Sequence, residues 1–169
     1  MVGKRKAAFC ILLAASAAGL QALSGLESSL PIPAVVAVGL PVYLAARLNL
    51  ISGILIYFLV SILAARADIS SALFFICTAG SVGLTLGITR GLSRHTYLVP
   101  VPAALLVFAL LTTVNNFFGI CLFESTYSWT ILRQAIALIP GLYVFCLVCL
   151  RLYMLAEKLL LGSLELDAY

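Results

Sequence analysis

The sequence predicts an all-α fold: a polytopic membrane protein built as a single bundle of six transmembrane helices, with both termini in the cytoplasm. Hydrophobic residues occupy 64 % of the 169 positions and charged residues only 9 %, and the mean hydropathy of +1.21 is far above that of a soluble domain. The apolar runs have the length of membrane helices and lack the alternation of barrel strands. We therefore expect one transmembrane domain over residues 1–169 and no soluble catalytic domain.

The first predicted span covers residues 7–25 and follows a basic triplet at 4–6. At about 1.5 Å per residue this run is long enough to cross a hydrocarbon core of about 30 Å. Its basic start and small residues also fit a signal peptide. We prefer an uncleaved span, because the apolar run continues through Leu23 and the later spans need its charges as an anchor.

The second predicted span, residues 30–46, contains several helix-breaking residues. Pro31 and Pro33 open it and Pro41 lies inside it, and each proline has a fixed φ and no amide donor. We therefore expect a short, kinked or partly re-entrant helix. Short polar connections separate the remaining spans, which are predicted at residues 50–65, 69–88, 97–119 and 130–155.

The basic residues predict the orientation of the chain in the plasma membrane. With the N-terminus inside, eight of the ten lysines and arginines fall on the cytoplasmic side, as the positive-inside rule requires. These eight are Lys4, Arg5, Lys6, Arg47, Arg90, Arg94, Arg151 and Lys158. Because they are scattered between apolar runs and form no basic stripe, we do not expect a nucleic-acid partner.

The sequence carries no pattern typical of catalysis or metal binding. Its single histidine, His95, lies in a predicted cytoplasmic loop, and the carboxylates stand singly at predicted membrane surfaces. Cys146 and Cys149 form a CxxC pair inside the sixth span, without a second pair, so we interpret them as helix-packing residues. We therefore expect no enzyme activity, no cofactor and no metal.

Two rows of small residues predict surfaces of close helix packing. Four-residue spacing places side chains on one helix face, where small residues let a second helix approach. The rows are Ala14, Ala18 and Ala22 in the first span and Gly83, Gly87 and Gly91 in the fourth. The alanine row leaves two alternatives open, packing within the bundle or against a partner subunit. The glycine row indicates internal packing, with a sliding surface as the alternative.

Polar residues concentrate in one stretch, LTTVNNFFGICLFESTYSWTILRQ at 111–134, between the fifth and sixth spans. The predicted topology places this stretch at the outer mouth of the bundle. An arginine inside the bilayer is costly unless it reaches the surface or a polar partner. A solute pocket and structural polar contacts both explain the stretch. The candidate substrate-binding residues are Asn115, Asn116, Glu124, Trp129, Arg133 and Gln134.

The chain resembles the S components of energy-coupling-factor (ECF) transporters, small six-helix membrane proteins that bind vitamins and other micronutrients. The resemblance rests on the length, the six spans and the alanine row of the first helix. It also rests on LPIPAVVAVGLPVYLAARLNLISG at 30–53, GSVGLTLGITRG at 80–91 and LIPGLYVFCLVCLRLY at 138–153. Part of the chain is also similar to a larger uncharacterised membrane family that is itself S-component-like.

This resemblance implies specific partners. In S components the alanine row of the first helix docks on a transmembrane coupling subunit, which two cytoplasmic ATPases drive. The solute binds in the outer half, and the whole S component topples in the membrane to release it. Carried over, Ala14, Ala18 and Ala22 would face the coupling subunit.

A second resemblance gives a structural alternative without a small-molecule ligand. MreD-like rod-shape proteins have a similar size and number of spans. Their third span places an aspartate four residues after a glycine, where this chain has Tyr57 after Gly53.

Overall fold

The computed structural model describes the backbone of residues 32–93, 95–118 and 131–163, together with positions 12, 15, 16 and 19. Within the three long ranges, side chains are described for residues 36–66, 68–93, 95–114 and 135–159. Every regular element in the described ranges is a helix, which confirms the predicted all-α class. The predicted first span lies outside the described residues except for four positions.

The described chain forms six helical segments. They are α1 (Ile32–Leu48), α2 (Leu50–Ala67), α3 (Ile69–Cys77), α4 (Ala79–Leu92), α5 (Pro100–Phe118) and α6 (Ile131–Ser163). Two helical stretches, Ile69–Leu92 and Ala135–Leu159, are long and apolar enough to cross a membrane. They support a membrane location, while the number of spans and the cytoplasmic termini stay predictions.

Two polar residues make one-residue junctions between helices. Asn49 is extended and its side chain accepts a hydrogen bond from the Ile51 amide at 3.1 Å, which caps α2. Asp68 caps α3 in the same way, accepting from the Ser71 amide at 2.8 Å, while its own amide donates to the Ala64 carbonyl and closes α2. These amide contacts lower the pKa of the exposed Asp68 carboxyl.

The proline-containing second span, which we expected to be short, kinked or partly re-entrant, is one continuous helix. α1 runs for 17 residues with Pro41 inside it, and Pro41 is buried. Pro33 lies in the first turn, where an amide has no partner within the helix and proline is tolerated. The break in the bundle occurs elsewhere, at Thr78, and divides the predicted fourth span into α3 and α4.

α1 and α4 form the closest helix pair of the described bundle. A Cβ on Gly83 would collide with the Gly39 carbonyl, and one on Gly87 would lie 2.7 Å from the Ala46 Cβ and 2.9 Å from the Tyr43 carbonyl oxygen. The contacts advance by four residues on both helices, from 39 with 83 to 43 with 87. The two helices therefore run in the same direction.

The other helices surround this pair. Gly53 of α2 lies against Ala46 of α1, beside the Asn49 junction. The hydroxyl of Thr89 on α4 donates to the Val99 carbonyl at 3.2 Å, which joins α4 to the start of α5. The largest fully buried side chains include Tyr43, Phe75, Leu86, Val107, Leu150 and Tyr153. Val60 of α2 is fully buried as well, so all six helices contribute to the core.

Candidate functional site

Polar side chains with long-range contacts gather at two places in the described bundle. One is the interruption between α3 and α4, which we call the helix break and define as residues 76–81. The other is formed by Tyr43, Arg47 and Glu157, which we call the end cluster because it joins the last turns of α1 to the C-terminal part of α6. Elsewhere in the described residues such a contact occurs singly, as from the Tyr143 hydroxyl to the Tyr97 carbonyl at 3.2 Å.

The helix break is centred on Thr78, whose φ of −121° and ψ of −93° leave the α-helical region. The break leaves backbone carbonyls to be satisfied by other donors, because a buried carbonyl without a partner is costly. The Ile76 carbonyl accepts from the hydroxyl of Ser81 and from that of Tyr57, the latter at 3.3 Å. The Thr78 hydroxyl donates to the Phe74 carbonyl at 2.6 Å. Hydroxyl groups thus stabilise the interruption.

Aromatic rings surround the helix break. A Cβ on Gly80 would lie 2.8 Å from atoms of both the Phe75 and the Tyr57 ring. The centroids of these two rings are 5.9 Å apart. Ser81 is only 2 % exposed, so its hydroxyl is shielded from water. The break is therefore a tightly packed joint between α2, α3 and α4.

The end cluster is built around the carboxylate of Glu157. Its Oε2 accepts a hydrogen bond from the Tyr43 hydroxyl at 2.8 Å, and its Oε1 accepts from the Arg47 Nε at 3.2 Å. Both donors lie on α1 one helical turn apart, so they face the same way. One carboxylate on α6 thus binds two side chains of α1.

The end cluster is shielded from water to different degrees. Tyr43 is fully buried, while the side chains of Arg47 and Glu157 are 26 % and 17 % exposed. The Tyr43 ring packs on the Tyr153 ring with 5.1 Å between centroids, and the Tyr153 hydroxyl donates to the Val36 carbonyl at 2.9 Å. The charged pair therefore borders an aromatic contact between α1 and α6. In this setting an ion pair is stronger than at an open surface, but each ion is costly without its partner.

The glycines singled out in the sequence occupy two kinds of environment. Gly83 and Gly87 are buried against the α1 backbone, where a side chain would collide. Gly91 is exposed, and a Cβ there would lie 3.6 Å from the Arg47 guanidinium, an ordinary contact distance. The glycine row thus leads from the α1–α4 interface to the end cluster.

The other predicted site residues lie outside the described side chains. Asn115 and Asn116 fall on α5, and Arg133 and Gln134 on α6, but only their backbone is described. Glu124 and Trp129 lie outside the described residues altogether, and so do Ala14, Ala18 and Ala22. The predicted outer pocket and the predicted docking face therefore stay predictions.

Sequence reasoning missed the end cluster and the helix break. A signal for the first was present, because Arg47 and Glu157 are opposite charges within or beside apolar runs and the predicted topology puts both at the same membrane surface. The helix break has a weaker signal, the small and hydroxyl-bearing residues of CTAGS at 77–81. Tyr57, whose hydroxyl donates to the Ile76 carbonyl at the break, is distant in sequence, so its contribution can be recognised only in the fold.

Comparison of the chain with known protein families, with curated proteins and with solved structures found no match.

Proposed function

We propose that this chain is the substrate-binding transmembrane subunit of an ECF-type micronutrient uptake transporter. It would span the plasma membrane six times with both termini in the cytoplasm. It would capture a small solute at the outer side, while a coupling subunit and two ATPases supply the energy. The support comes from the S-component resemblance, the all-helical fold and the two helices long and apolar enough to cross a membrane.

The observation that carries the proposal is the helix break at Thr78. The stretch Ile69–Leu92 is long enough to cross a membrane, and Thr78 lies well inside it. Non-helical backbone at membrane depth is tolerated where protein or a water-filled cavity surrounds it, and interrupted helices are a recurrent feature of transporters. A rigid structural bundle has no comparable need for an interruption in a helix of its core.

In this proposal the solute site lies in the outer half, between α5 and α6. Arg133 and one of the two asparagines, Asn115 or Asn116, would bind an anionic or amide-bearing group of the solute. Guanidinium and amide groups offer the donors and acceptors that such groups need. The other asparagine would pack against a neighbouring helix.

The test is mass spectrometry of the full chain, gently purified from its native membrane. We expect a bound small metabolite, together with a membrane coupling subunit and ATPase subunits. Arg133→Ala should abolish metabolite retention without loss of the folded protein. Arg151→Ala is the matched control, because Arg151 is an exposed arginine of the same helix far from the proposed site. Retention that is equal in both variants would contradict the role given to Arg133.

The partner interface has a separate test. Ala18→Trp should prevent co-purification of the coupling subunit, because a bulky ring blocks close approach of a second helix. Leu63→Trp is the control, since Leu63 is 44 % exposed on α2.

If neither a metabolite nor ATPase subunits accompany the wild-type chain, the transport proposal fails and the MreD-like structural role becomes the better explanation.

A further inference from the structure

The end cluster attaches α6, a helix with few buried residues, to α1. In an apolar 18-residue segment of Ala135–Leu159 in α6, only 17 % of the positions are buried inside the bundle, against 56 % in such a segment of Ile69–Leu92. The buried positions of α6 include Cys146, Cys149 and Tyr153, which face the core. In a bilayer such apolar contacts give weak association, because lipid tails are as apolar as the side chains they replace. Polar contacts therefore carry a large share of the attachment.

The polar contacts of the end cluster depend on a single group, the carboxylate of Glu157. Both carboxylate oxygens of Glu157 are engaged, one by Tyr43 and the other by Arg47. Tyr43 is fully buried, so without Glu157 its hydroxyl loses this acceptor in a place that water does not reach. Arg47 would keep its charge at the edge of an apolar interface.

These losses occur together, which makes partial opening unfavourable. While α6 stays against α1, the two donors need the carboxylate; once α6 moves away, water and headgroups reach all three side chains. The stable arrangements are thus a closed one with every partner present and an open one with every group solvated. A contact with only two such arrangements behaves as a switch.

We propose that Tyr43, Arg47 and Glu157 form a latch that holds the C-terminal half of α6 on α1. Neutralising the carboxylate releases this half of α6, while the glycine interface between α1 and α4 stays closed. The latch does not depend on which solute the protein binds, or on whether it binds one. It identifies α6 as the movable element of the bundle and the α1–α4 pair as its fixed frame.

Native cysteines report on the latch. Cys146 and Cys149 lie on the buried side of α6 and are 0 % and 1 % exposed, and Cys77 is 2 % exposed at the end of α3. The experiment measures the rate at which an apolar coumarin maleimide labels each thiol of the full chain in mild detergent. Because these thiols are buried, each labelling rate reports how often the surrounding helices open. Peptide mapping by mass spectrometry then separates Cys146 and Cys149 from Cys77, which serves as the internal reference for global unfolding.

We expect Glu157→Gln to raise the labelling rate of Cys146 and Cys149 at least about tenfold, which corresponds to about 1.4 kcal/mol of opening free energy. The rate at Cys77 should stay unchanged. Lys158→Gln is the matched control, because it removes a charge from the neighbouring exposed position of the same helix. Tyr43→Phe, which removes one hydroxyl and no charge, should give a smaller increase. The exchanged pair Arg47→Glu with Glu157→Arg should bring the rate back toward that of the wild type.

Two outcomes would overturn the proposal. One is labelling of Cys146 and Cys149 in Glu157→Gln that is no faster than in Lys158→Gln. The other is a parallel rise at Cys77, which would mean that the substitution unfolds the whole bundle. If Glu157→Gln gives no folded protein, Tyr43→Phe takes its place in the test. The labelling rate of Cys146 and Cys149 relative to that of Cys77 is then compared between Tyr43→Phe and Lys158→Gln.

Discussion

The two helices long enough to cross a membrane have opposite relations to the bundle. Ile69–Leu92 and Ala135–Leu159 are nearly equal in length, 24 and 25 residues, with mean hydropathies of 1.8 and 2.2. In an apolar 18-residue segment of each stretch, 56 % of the positions are buried in the less hydrophobic stretch and only 17 % in the more hydrophobic one. Hydropathy therefore does not predict which helix lies in the centre of this protein.

Residue size explains the difference. The α4 segment is rich in glycine, serine and threonine, and its Gly83 and Gly87 lie against α1. α6 presents bulky apolar side chains outward, among them Val144, Val148 and Leu155. Where lipid replaces water, close backbone approach and polar contacts drive helix association, and bulky apolar residues are equally stable facing the lipid.

The largest effect that tests this comparison is expected from a side chain added at Gly83. Gly83→Leu should cost about 3 kcal/mol or more, because the side chain has to displace the α1 backbone at the Gly39 carbonyl. Gly141→Leu should be close to neutral or stabilising, because nothing lies within 4 Å of a Cβ there. Thermal unfolding in detergent gives both values, and equal losses in the two variants would contradict the distinction between central and peripheral helices.

Two neighbouring phenylalanines test the same distinction within one helix. Phe75 is 0 % exposed and Phe74 is 42 % exposed. Phe75→Ala should lower the free energy of unfolding by about 3 kcal/mol, because it leaves a cavity between α2 and α3. Phe74→Ala should have a much smaller effect, because its ring lies on the outer surface. A comparable loss of unfolding free energy in both variants, measured by the same assay, would show that another part of the protein covers the outward face of α3.

The helix break should respond to loss of its hydroxyl donors. Ser81→Ala and Tyr57→Phe each remove one donor to the Ile76 carbonyl, and each should cost about 1 kcal/mol. The double variant should lose more than the sum, because the carbonyl then has neither hydroxyl. A double-mutant cycle of unfolding free energies measures this coupling. Strict additivity would mean that the two hydroxyls do not share this acceptor.

The smallest effect is expected at the exposed junction between α2 and α3. Since the folded state lowers the pKa of Asp68, its contribution to stability is complete above the ordinary carboxyl pKa of about 3.9. That contribution is lost as the pH falls through the lowered value. The melting temperature of wild type relative to Asp68→Asn should therefore decline in this acid range. A difference that is independent of pH there would contradict an ionised cap.

Several local features of the fold were predictable from sequence. Short polar connections were predicted before and after the span at 50–65, and Asn49 and Asp68 form them as one-residue junctions. The all-α class followed from the length of the runs. Pro41 was misleading, since proline is the strongest local helix breaker and yet α1 continues through it.

The helix break and the end cluster show why the other features of the protein could not be predicted from the sequence alone. At the helix break, donors come from Tyr57 on a preceding helix and from Ser81 one turn beyond the acceptor. In the end cluster, Arg47 and Glu157 are separated by 110 positions. Spacing within one helix identifies residues that share a face, but it does not identify which helix that face meets.

The sequence by itself determined the helical class, the helix ends at Asn49 and Asp68, and the regions rich in small or polar residues, because these depend on neighbours along the chain. Only the tertiary structure decided that α4 packs on α1, that Thr78 rather than Pro41 interrupts a helix, and that Glu157 binds Tyr43 and Arg47. The physical reason is that the two membrane-length helical stretches are similarly hydrophobic, so hydropathy does not distinguish their places in the bundle. Interhelical packing and hydrogen bonds, which join residues distant in sequence, therefore select the arrangement of the helices.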